Sequence, residues 1–201
     1  MAALTYRACC SSPTAPGVYY SDPDAPPAGA GPDIPAEVEA VQRSFETAMH
    51  ESGHAAICHL LGVRVLTVKI GPRSFVERDV SDAKDMSNFK MVMLAQAGDV
   101  AARWAKRHIY QPHDEEYLES IRRVRSQCFG KCDACLAAVF ALAEVGGSDN
   151  TNVVATMRAI ERQTVEILTS RPVTLAITAL ADQLMAEGSV NRPGNSGGCL
   201  V

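Results

Sequence analysis

The chain of 201 residues has no run approaching about 20 uninterrupted apolar residues, so no membrane-spanning helix is predicted. It has no surplus of positive charge. Lys and Arg number 19 against 23 Asp and Glu, a net charge of -4, which argues against nucleic acid as the main partner. Its first residues lack the basic region and apolar run of a secretory signal. Cys199 stands third from the end, whereas prenylation needs a Cys fourth from it, so that anchor is excluded. These absences lead to the expectation of a soluble, cytoplasmic protein with reduced thiols.

What is present can build one sizeable core, since 47% of the residues are hydrophobic. Residues 1–34 are not part of it. Pro13, Pro16, Pro23, Pro26, Pro27 and Pro32 lie among Ala, Gly, Ser and Asp, a composition that cannot offset its ordering entropy by burial. A disordered tail is expected there, with Cys9 and Cys10 inert inside it. A second flexible tail is expected over 190–201.

The chemistry is concentrated in His50-Glu51-Ser52-Gly53-His54. Residues four apart share a helix face, so His50 and His54 can aim two imidazoles at one metal ion. Zn²⁺ suits imidazole nitrogen and lowers the pKa of a bound water to about 7. Glu51 would stand beside that water as its base. The motif sits in a predicted helix over about 35–61, with Phe45, Ala48, Met49, Ala55 and Ile57 on its apolar face and Gly62 as the stop. Two histidines merely buried in a core would leave the charge of Glu51 between them without a purpose, and burying it unpaired is costly.

Val63 to Ile70 alternates β-branched and polar residues and reads as a half-buried strand, with a second short strand over Ser74 to Val80. A free edge on the first strand could pair with an extended peptide. A helix follows from about Asp85 to Arg107, with Ala97, Gly98, Ala101 and Ala102 as a close-packing face and Trp104 in the core. Further helices are expected over Leu136 to Val145, from Asp149 or Asn150 to about Ser170, and from Pro172 to Gly188.

A catalytic zinc takes three protein ligands and keeps one position open. His113, Asp114, Glu115 and Glu116, at a helix start after Pro112, are the chemically able supply for the third. His59 is one residue out of step for an extended histidine motif and turns about 100° away from the ligand face. Glu77 lies in strand-like sequence. Cys128, Cys132 and Cys135 are read first as small buried hydrophobes, with redox activity or a second metal site as weaker alternatives.

His50-Glu51-Ser52-Gly53-His54-Ala55 resembles the core of the peptidase domain of FtsH-type ATP-dependent zinc proteases, and Ala97-Gly98-Asp99-Val100-Ala101-Ala102 is similar to that family's A-G-x-x-A-E segment. The resemblance implies an aspartate opening a later helix as third zinc ligand, followed by an apolar residue and, four residues on, a small one. Aligned here, that residue is Asp114, with Glu115 as the alternative because the residue after the aspartate is not apolar. Arg103 stands where the family has Glu. The resemblance covers roughly residues 36–185 and is best over 48–62. The ATPase module and membrane helices of the full-length proteases are absent from this sequence, so the resemblance is to a stand-alone peptidase domain, expected over 35–189. It implies a mainly α (α+β) fold, a zincin-like metal helix with a small β-sheet and a helical bundle. It also implies hydrolysis of a protein or peptide substrate by a water that Zn²⁺ binds and Glu51 activates. The relatives' hexamers follow from their ATPase ring, which leaves an oligomer compatible with this chain but not required. The competing reading is a non-catalytic partner-binding or regulatory domain that retains a structural zinc.

Overall fold

The computed structural model describes residues 6–8, 19–21, 36–71, 74–79, 81–82, 86–106, 112, 114–126, 132–147 and 149–191. Of the expected N-terminal tail it describes two short strands, β1 (Tyr6–Ala8) and β2 (Tyr19–Ser21), paired antiparallel. The rest of 1–34, and 192–201, lie outside the described residues.

The body is mainly helical with a small antiparallel sheet, as expected. Helix α1 (Ala36–Leu60) carries the His-Glu motif in its second half. It stops where Gly62 takes a φ of 76°, a left-handed conformation that favours glycine. There Gly62 N–H donates to the His59 carbonyl at 3.0 Å and Val63 N–H to that of Cys58 at 2.8 Å, satisfying carbonyls the helix end would leave bare. The chain then forms β3 (Val65–Lys69) and β4 (Phe75–Arg78), an antiparallel pair with an irregularity between Val65 and Thr67.

Helix α2 (Asn88–Ala105) starts at Ser87, whose hydroxyl accepts from the Lys90 N–H. Helix α3 (Asp114–Arg125) has three acids in its first turn and three arginines in its last, the distribution that complements a helix dipole. Helix α4 (Asp133–Glu144) is rich in Ala and Leu. Helix α5 (Asn150–Leu168) is capped by Asp149, which accepts from the Thr151 N–H at 2.9 Å. Helix α6 (Arg171–Glu187) has Pro172 in its first turn and ends at Gly188, φ 74°.

Strand β5 (Ser189–Asn191) follows at once and pairs with β3 through Ser189, Val190 and Asn191. The flexible tail expected from 190 therefore begins with a strand. Val190 is buried, and the Ile70 N–H donates to the Gly188 carbonyl at 2.9 Å. The sheet order is β4-β3-β5, so β3 is central and has no free edge for a peptide, contrary to the expectation for that strand.

α1 packs against α2 and α6, and α2 packs in turn against α4 and α5. Met49, Ile57, Val92, Ile121, Met157, Ile160 and Leu184 fill the centre. Trp104, expected in the core, lies 37% exposed on the outer side of α2. Its neighbour Arg103 turns inward instead and pairs with the buried Glu161 of α5, which also accepts the hydroxyl proton of Tyr117 from α3.

The α1–α2 contact depends on Gly53. A Cβ there would stand 2.5 Å from the Ala97 carbonyl oxygen and 2.6 Å from the Ala101 Cβ. Alanine in place of a mid-helix glycine ordinarily gains about 1 kcal/mol. Overpacking against a backbone atom costs about 1–3 kcal/mol and wins here. Gly53→Ala is expected to lose about 1 kcal/mol net in urea unfolding, the reverse of the usual sign.

Candidate metal centre

The geometry begins with two helices lying closely side by side. α1 presents His50 and His54 one turn apart, their rings edge-on with centroids 4.7 Å apart and an interplanar angle of 78°. This brings the two Nε2 atoms to 3.1 Å. α2 lies against them with Gly98. A Cβ at Gly98 would stand 2.5 Å from both Nε2 atoms, so only glycine leaves this space open. The small-residue face read as packing is therefore also one wall of the site.

The third group is Asp133, the first residue of α4. Its Oδ2 lies 2.9 Å from His50 Nε2 and 3.3 Å from His54 Nε2. Among the described residues, the His, Cys, Asp and Glu side chains that converge closely enough to hold a metal ion here are His50, His54 and Asp133. Asp114 and Glu115 are not brought to the histidines. Asp114 is 55% exposed and pairs with Arg158 Nη2 at 2.7 Å, and Glu115 pairs with Arg122 at 3.0 Å. The first turn of α3 is thus a solvated, ion-paired face. Asp114 lines a separate cavity of about 600 Å³ beside α5, with Leu118, Val154 and Arg158. Glu116 is exposed, and His113 lies outside the described residues.

The sequence carries a signal for Asp133. It opens a helix, Ala134 follows it, and Ala137 stands four residues on, which fits the apolar and small positions better than Glu115 and Leu118 do. Cys132 precedes α4 and Cys135 lies in its first turn, and both are buried. Cys58 is buried too, and burial pushes its thiol pKa up. Cys128 lies outside the described residues. His59 is exposed on the far side of α1.

The donor set fits a tetrahedral cation. Ligand atoms held about 2.0–2.1 Å from such an ion stand about 3.3 Å apart, close to the three separations found here. The tautomers fit as well. His54 Nδ1 is 2.8 Å from the carbonyl oxygen of Leu94, an acceptor, so Nδ1 carries the proton and Nε2 of the neutral ring is bare. His50 Nδ1 has Asp99 Oδ1 at 3.5 Å.

Charge follows the same pattern. Burial lowers the His50 pKa, but Asp133 and then Asp99 outweigh it and hold it well above the ordinary imidazole value. Burial likewise opposes charge on His54, and Asp133 overrides it. Burial would raise the Asp133 pKa, yet His54 and His50 drive it well below the usual carboxylate range. Positive charge is favoured at the point where the three ligand atoms meet, and protons or a metal ion can supply it. Glu51, 8% exposed, is raised by burial and by Asp133 against the lowering pull of His54 and His50.

No protein-family model matches the chain, and no curated protein matches it. Among the described residues, no helix is long and apolar enough to cross a membrane.

Two substitutions separate the candidates for the third ligand. Asp133→Ala is expected to lower zinc affinity by at least about 100-fold, and Asp114→Ala to leave it within about twofold, by chelator competition. Gly98→Ala should prevent binding sterically while removing no donor atom.

Proposed function

We propose that this chain is a zinc-dependent peptidase that hydrolyses peptide bonds at the His50–His54–Asp133 centre, in the manner of a stand-alone FtsH-like domain. The observation that carries the reading is the convergence of two imidazole nitrogens and one carboxylate oxygen beside a His-Glu-x-x-His glutamate. His50, His54 and Asp133 would hold the ion. When bound, zinc would supply Lewis-acid polarisation of a carbonyl and a lowered pKa for water.

The chain's own residues do the rest. Glu51 follows His50 on α1, so its carboxylate belongs to the same turn as the two ligands. Burial favours its uptake of a proton. It takes a proton from the attacking water and passes it to the nitrogen of the departing amine. The Leu94 carbonyl keeps His54 in its ligand tautomer. Gly98 keeps the α2 wall low over the two Nε2 atoms.

The second reading is a structural zinc in a partner-binding or regulatory domain. A closed structural site takes four protein ligands; among the described residues the group has three members.

Glu51→Gln separates the two. It is expected to retain stoichiometric zinc and to lose about 10²–10⁴-fold in the rate of casein hydrolysis. Equal rates in zinc-replete samples would remove Glu51 as the base. Zinc binding without hydrolysis in the wild type would favour the structural reading.

A further inference from the structure

We propose that Asp99 is the positioning residue of the metal centre. Its carboxylate accepts the Nδ1 proton of His50 and so holds that ring with Nε2 bare and facing His54 and Asp133. The inference rests on the zinc reading above.

A neutral imidazole carries one proton, on one nitrogen or the other. On Nε2 of His50 it would point among the ligand atoms, where His54 Nε2 is 3.1 Å and Asp133 Oδ2 is 2.9 Å away. On Nδ1 it faces the Asp99 carboxylate, whose Oδ1 lies 3.5 Å away, an ion-pair separation longer than an ordinary hydrogen bond. Only the second tautomer leaves a lone pair for a metal. His54 meets the same demand with the Leu94 carbonyl at 2.8 Å.

Both acceptors belong to α2, on either side of Gly98. One helix therefore sets the tautomer of both ligand histidines and leaves the space between them open. The two acceptors are not equivalent. A backbone carbonyl is neutral, whereas a carboxylate also polarises the ring and makes its other nitrogen a stronger ligand.

Asp99 is well anchored for the role. Its own carbonyl accepts from Arg103 Nε at 3.2 Å, and the packing of Ala97 against Gly53 fixes this part of α2 on α1. Its side chain is 62% exposed, so its removal takes little from the core. No motif marks it, since it reads as an ordinary surface acid on a helix.

The test uses the full chain titrated with zinc against a chromophoric chelator. Asp99→Ala is expected to weaken zinc binding about 10–100-fold. Asp99→Asn keeps an acceptor oxygen without the charge and should fall between. Nitrogen-15 NMR of the histidines in the zinc-loaded chain supplies a readout that lost packing would not move. The His50 Nδ1 proton should become exchange-broadened in Asp99→Ala, while that of His54 stays protected.

Asp99→Ala binding zinc within twofold of wild type, with the His50 proton still protected, overturns the proposal and leaves the zinc reading intact. Metal-free Asp99→Ala melting well below wild type would make the loss structural and overturns it too. Wild type that binds no zinc removes both.

Discussion

Two glycines on facing helices let α1 and α2 approach closely, and the site depends on that approach. Gly53, inside the His-Glu motif, gives up its side-chain volume to the backbone of α2 at Ala97. Gly98 gives up its own to the two imidazoles of α1. A methyl group at either position would meet atoms at about 2.5 Å. With the helices this close, α2 can wall the space between the histidines and reach both of their outer nitrogens. α4, which also packs against α2, then delivers Asp133 from its first turn.

Among the described residues, two charged clusters in the interior do different work. His50, His54, Asp133 and Glu51 surround a point that favours positive charge. Arg103, Glu161 and Tyr117 form a second set in which the acid of α5 is matched by a guanidinium from α2 and a hydroxyl from α3. Paired in this way the second set ties three helices together, because removing one member would strand a buried charge. Arg103 is matched by its buried partner Glu161.

Most of the fold was legible in the sequence. Helix periodicity, Asp149 as a cap, and glycine stops at Gly62 and Gly188 mark the elements to within a few residues, because these signals are local. β5 was not legible. Three residues, Ser189 to Asn191, are too few for alternation to show, and their strand state comes from pairing with β3, far away in sequence. Trp104, expected in the core, faces outward, and Arg103 turns inward to Glu161, a partner on α5 that no local pattern on α2 reveals. Within the site, His50, Glu51 and His54 share one helix and one spacing, so their grouping could be read directly. The third group comes from 79 residues beyond His54. Several acids opening helices compete for that place, and only the packing of α3 against α4 and α5 sends Asp114 to Arg158 and Asp133 to the histidines.

X-ray absorption at the zinc edge of the loaded full chain tests the centre most directly. One zinc per chain is expected, with about four nitrogen or oxygen neighbours at about 2.0–2.1 Å, including two imidazoles, and no sulfur. A sulfur shell at about 2.3 Å would place Cys132 or Cys135 on the metal and contradict the His50–His54–Asp133 site. So would a chain that retains no zinc.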